Sequence, residues 1–102
     1  MYIRILLLII VLALSPITIL YAQNFKKQQK QQRTAIETAF RKKRVTQKEY
    51  YKLIAEQESI VYAIQKAEAD GYMDPREKNS IYGKIQRAEK RLRKYKTNRE
   101  IY

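Results

Sequence analysis

The stretch Ala67-Glu68-Ala69-Asp70-Gly71-Tyr72-Met73-Asp74-Pro75-Arg76-Glu77 constrains this chain more than any other, because nearly every residue in it suits a helix end or a helix start. Gly71 lacks the Cβ that clashes at positive φ, so it can close a helix from the left-handed region after Asp70. Asp74 is a good N-cap, Pro75 suits the first helical position, and Glu77 stands three residues after the cap, as a capping box requires. A reversal between two helices is therefore expected at residues 70–74. Two Gly and two Pro in 102 residues fit long helices with few turns and are too few for an all-β chain.

The same reasoning repeats upstream. Val45-Thr46-Gln47-Lys48-Glu49 places Thr46 as an N-cap, Glu49 as its box partner and Val45 where it can staple onto Tyr50. The second helix is expected from about Gln47 to Ala69, with Leu53, Gln57, Ile60, Ile64 and Ala67 on one face. The third is expected from Pro75 to about Lys96, with Ile81, Ile85, Ala88, Leu92 and Tyr95 on the corresponding face. Both stripes follow a 4-3-4-3 spacing, which packs as an antiparallel, coiled-coil-like pair. Upstream, Ala35, Ile36, Ala39 and Phe40 mark a shorter first helix ending near Lys42. The expected fold is all-α: an antiparallel helical hairpin with a shorter first helix, in a three-helix arrangement after an N-terminal signal helix.

The two turns belong to an internal repeat with a 28-residue offset, in which Ile36 corresponds to Ile64, Ala39 to Ala67 and Leu53 to Ile81. Lys43 corresponds to Gly71. A left-handed Lys costs on the order of 1 kcal/mol. The first turn is therefore expected to be looser, and the first helix to dock incompletely.

Ahead of this body, Arg4 precedes an apolar run from Ile5 to Leu14, Ser15-Pro16 ends that run, and Leu20-Tyr21-Ala22 precedes a plausible cut before Gln23. This is the order of a secretory signal peptide. The alternative is an uncleaved anchor, since residues 3–22 approach bilayer length and could contact the membrane. The basic residues just after it (Lys26, Lys27, Lys30 and Arg33) are awkward for export, because positive charge favours the cytoplasmic side. The expected location is accordingly exported, periplasmic or extracellular, with an inner-membrane anchor as the alternative. Residues 23–32, Gln-Asn-Phe-Lys-Lys-Gln-Gln-Lys-Gln-Gln, read as a polar, solvated arm. The helical domain occupies 33–98 and a tail 99–102.

With no Cys and no His, the chain has no means of disulfide formation, a Cys/His zinc site or His-based proton transfer. No catalytic residue and no cofactor is expected. Glu68, Asp70, Asp74 and Glu77 suggest the second half of a calcium loop, but Lys66 falls at the first ligand position and helix capping already accounts for Asp74 and Glu77. Paired carboxylates for glycoside hydrolysis would need a cleft, which a thin hairpin does not supply.

Charge is the stronger functional signal. Lys and Arg number 22 against 10 Asp and Glu, so the expected partner is an anionic envelope surface or an acidic protein. The candidate anion-binding residues are Lys84, Arg87, Lys90, Arg91 and Lys94 along helix 3, with the bases of residues 26–33 and 41–44 extending the surface. A solvated face supported by pairs such as Glu56 with Lys52 and Glu89 with Arg93 is the competing reading. Tyrosines interleaved with bases can stack nucleobases, a use that does not fit an export segment. A mature part of about 80 residues is small for one core, so either the first helix completes it or two chains associate. A small periplasmic chaperone and a membrane-tethered structural hairpin are the alternative functions.

Val45-Thr46-x-x-Glu49, Gln57, Ile60, Ala67-x-Ala69-Asp70-Gly71-x-Met73-Asp74-x-x-Glu77 and Asn98 together resemble a group of small exported bacterial helical proteins of uncharacterised function. The resemblance covers roughly residues 33–98 and implies an exported helical hairpin without assigned chemistry. That group usually carries a Gly in the first turn as well, where this chain has Lys42-Lys43-Arg44.

Overall fold

The computed structural model describes the backbone of residues 2–98 and the side chains of residues 21–97. Three helices account for the regular structure among them: α1 (Tyr2–Arg41), α2 (Gln47–Ala69) and α3 (Pro75–Asn98). The molecule is elongated, 71 × 22 × 17 Å.

α2 and α3 begin where capping places them. Glu49 N–H donates to Thr46 Oγ1 at 3.1 Å, and Thr46 N–H donates back to Glu49 Oε1 at 2.9 Å, so both halves of the box are closed. At α3, Glu77 N–H donates to Asp74 Oδ1 at 2.7 Å and Pro75 is the first helical residue. The residues preceding the two caps, Val45 and Met73, are both buried and anchor the chain entering each helix. The expected stripes are the buried ones, with Leu53, Gln57, Ile60, Ile64 and Ala67 on α2 and Ile81, Ile85, Ala88 and Leu92 on α3. Later residues of α3 face earlier residues of α2: Lys84 reaches Ser59 and Arg91 reaches Glu56.

α1 corrects the sequence reading in three respects. It is not a short helix beginning near residue 33, and it continues through Ser15-Pro16. A proline removes one backbone bond without necessarily ending a helix. Residues 23–32 are not a solvated arm, because Phe25, Gln29 and Gln32 are buried against the other helices. The repeat explains why. At the 28-residue offset Phe25 corresponds to Leu53 and Ile81, Gln29 to Gln57 and Ile85, and Gln32 to Ile60 and Ala88. α1 thus carries its own 4-3-4-3 stripe, Phe25-Gln29-Gln32-Ile36-Ala39, in which two of the five positions are amides.

The first turn is also tighter than expected. Lys43 adopts φ +59, close to the +70 of Gly71. Lys43 N–H donates to Phe40 O at 3.0 Å and Arg44 N–H to Ala39 O at 2.8 Å, the bond pair of a Schellman motif. These bonds and the burial of Val45 hold a conformation that the lysine alone disfavours. The last turns of α1 therefore dock, with Ile36 and Ala39 buried beside Leu53, Val45 and Leu92.

The buried residues form two apolar clusters. One lies toward the second turn, around Ala22, Phe25, Ile64, Ala67, Met73 and Ile81. The other lies toward the first turn, around Ile36, Val45, Leu53 and Leu92, with Tyr50 and Tyr95 packed on it. Glutamines join the three helices within this interior. Gln29 Nε2 donates to Gln57 Oε1 at 3.0 Å, Gln57 Nε2 donates to Gln32 Oε1 at 3.1 Å, and Gln32 Nε2 donates to the Ile85 carbonyl at 2.9 Å.

Candidate functional site

The five bases singled out on helix 3 project from the side of α3 opposite its buried stripe or along its flanks. Lys84 is half-buried, and its ammonium donates to Ser59 Oγ at 3.1 Å. Arg91 pairs with Glu56 at 3.5 Å across the α2–α3 boundary. Glu56 is thus drawn to the neighbouring helix rather than to Lys52, as its sequence spacing suggested. Glu89 Oε2 similarly accepts from Gln32 Nε2 at 3.4 Å, so α1 also uses a carboxylate that spacing assigned to Arg93.

Arg87, Lys90 and Lys94 are exposed. Together with Arg91 and Tyr95 they line an open groove on α3. The Arg87 guanidinium lies over Gly83, its Nη1 3.1 Å from where a Cβ would stand. Four of the five predicted residues are thus brought to one groove, while Lys84 lies in the adjoining α2–α3 groove with Lys66, Arg76 and Ser80. A second basic groove, lined by Lys26, Lys27 and Lys30, lies on α1.

The turn acids behave as helix-end groups. Asp70 is the C-cap of α2, and Gly71 N–H donates to Glu68 O at 3.0 Å. The pKa of Glu77 is raised, first by partial desolvation and then by the negative charge of Asp74 beside it, with a smaller contribution from Asp70. The first turn avoids this repulsion because its cap is the neutral Thr46. Among the described residues, no group of three or more His, Cys, Asp or Glu is placed to hold a metal ion.

Of the tyrosines, Tyr95 packs on the first-turn cluster as its seam position requires. Tyr62 and Tyr82 remain exposed, with Tyr82 lining a groove between α3 and α1 beside Gln28, Gln31 and Ala35. Two contacts near residue 22 went unread in the sequence. The Lys78 ammonium sits 3.7 Å from the centre of the Tyr21 ring, and Lys26 pairs with Glu68 at 2.7 Å. Neither has a local spacing signal, since each joins α1 to an element more than 40 residues away.

Among the residues with described side chains, no helix is long and apolar enough to cross a membrane. The export segment or anchor expected at residues 1–22 falls almost wholly outside those residues, and the 99–102 tail falls outside entirely. Comparison with protein families, curated proteins and solved structures finds no match to this chain.

Proposed function

We propose that this is a non-enzymatic, exported helical protein whose α2–α3 antiparallel hairpin presents a basic face to an anionic envelope component. The observation that carries the reading is the shared groove of Arg87, Lys90, Arg91 and Lys94 on one exposed stretch of α3. Four cations held close together on a rigid helix repel one another, and an anion relieves that repulsion while releasing its own counterions. The test is an ionic-strength titration of the full chain, in nonionic detergent, against an anionic polymer. Affinity should fall steeply with salt, and replacing these four residues by Gln should flatten the dependence. Salt-independent binding, or holdase activity that persists in high salt, would support the chaperone alternative instead.

The membrane-tethered alternative is favoured by one observation. α1 runs unbroken across the expected cut, and Ala22, just before that cut, is buried at 4% exposure. Cleavage there would remove Ala22 from the cluster and Tyr21 from beneath Lys78. The intact mass of the protein isolated from cells decides between the two: retention of residues 1–22 means a tether, and their loss means a processed, exported chain.

A further inference from the structure

We infer that the anionic partner is a linear polyanion and that it is bound at the first-turn end of the bundle. Residues from two distant parts of the chain build that end. This inference rests on the anion-binding reading above and assigns it a place and a partner class.

The first block is Arg41-Lys42-Lys43-Arg44 with Lys48 and Lys52. The second, residues 90–96 of α3, carries five more bases. The blocks are about 40 residues apart in sequence, yet Val45 and Leu53 of the first share a packed cluster with Leu92 and Tyr95 of the second. Eleven basic side chains thereby meet at one end, and all are exposed. The acid within those segments is Glu49, which is engaged in the capping box. Among the described residues, Arg91 is the cation of this end held in an ion pair. The second-turn end is more evenly mixed, since residues 66–78 carry four acids against three bases and Glu68 there is paired with Lys26 of α1.

Two further observations separate this end from a merely solvated surface. Lys43 occupies the left-handed position that Gly71 occupies in the other turn, so a cation stands where glycine would strain the backbone less. Aromatic faces also lie among the cations. Phe40 stacks on Tyr50 with ring centroids 4.2 Å apart, and Tyr51 beside them is 61% exposed. Cations spread over three helix ends offer a folded protein little continuous apolar surface to bury. A flexible polymer with closely spaced charges can follow them, and each neutralised charge releases a counterion.

The probes are long-chain inorganic polyphosphate and polygalacturonate, with β-lactoglobulin as a folded acidic protein, against the full chain in nonionic detergent. The variant Lys42→Gln/Arg44→Gln/Lys48→Gln should lose about 10-fold in affinity for the polymer, and its log–log salt slope should shrink by about 2. Lys84→Gln/Arg87→Gln, farther along the side of α3, should lose markedly less for each charge removed. Circular dichroism checks that both variants keep their helicity. Equal behaviour of the two polymers, or preference for one, supports the inference and separates phosphate from carboxylate chemistry. If only the Lys84/Arg87 variant weakens binding, the partner lies along the helix side and the end-on inference falls while the anion-binding reading stands. Tighter binding to β-lactoglobulin than to either polymer overturns the polymer assignment. No salt-dependent binding to any probe overturns both readings.

Discussion

Gln29 and Gln57 occupy equivalent positions in two copies of one 28-residue repeat, and they hydrogen-bond to each other at 3.0 Å. The third equivalent position is Ile85, whose backbone carbonyl accepts the last bond of the same chain, from Gln32. All three copies of one repeat position therefore join the same hydrogen-bond chain, two as amides and one through a main-chain oxygen reached by way of Gln32.

This arrangement makes Gln57 the most sensitive side chain of the interior. It is fully buried, donating to Gln32 and accepting from Gln29. Gln57→Ala takes the acceptor from Gln29 Nε2 and the donor from Gln32 Oε1 and opens a cavity, and should cost on the order of 3 kcal/mol in denaturant unfolding. Replacing Gln29, Gln32 and Gln57 together by Leu removes all three amides, and should cost far less than the single change or even stabilise. A triple variant as unstable as Gln57→Ala would show that the amides matter through something other than mutual pairing.

The two turns give a reciprocal pair of expectations. Lys43→Gly removes left-handed strain and should raise stability by roughly 0.5–1 kcal/mol, while Gly71→Ala should lower it by roughly 1 kcal/mol. A Cβ at Gly71 meets no atom within 4 Å, so the second effect would be purely conformational. Thermal melts of both variants provide the measurement, and opposite signs are required.

Gly83 lies in the middle of α3, where glycine costs about 1 kcal/mol relative to alanine. Its one close neighbour is the mobile end of Arg87, which can shift by the few tenths of an ångström that a methyl group needs. Gly83→Ala should therefore raise the melting temperature, and a fall would mean that the Arg87 position over Gly83 contributes more than helix propensity.

Glu77 should leave a signature in the pH dependence. Its folded-state pKa lies above the ordinary value of 4.5. The folded form therefore holds the proton more tightly than the unfolded chain does. The resulting stabilisation is fully present below the unfolded pKa and is lost as pH rises through the raised folded pKa. Between wild type and Glu77→Gln, the difference in unfolding stability should change across the window immediately above 4.5 and stay flat toward neutrality. A difference independent of pH through that window would remove the repulsion with Asp74 from the account.

The helix limits around the second turn were legible because local chemistry sets them. Gly71, Asp74 and Pro75 act on their own backbone, and α2 and α3 begin and end within two residues of expectation. Residues 23–32 of α1 were not legible by composition, because Gln29 and Gln32 look like solvated residues until Gln57 supplies partners. The usable signal was the 28-residue offset extended backward, which pairs Phe25 with Leu53 and Gln29 with the amide already on the α2 stripe. Lys43 misled for a related reason: propensity describes an isolated residue, whereas buried Val45 and two backbone bonds set this turn. The basic residues of the candidate site were plain in the sequence. Their meeting at one end was not, since it depends on how α3 returns toward the first turn.

That gathering of charge bears on how the molecule stands near a surface. The rod is 71 Å long, whereas the field of an anionic layer decays over about 8–10 Å in physiological salt. An end-on approach therefore brings the first-turn bases within reach of such a layer while most of the rod stays outside its field. Contact made through that end would hold residue 22 away from the layer by about the length of α2, roughly 35 Å.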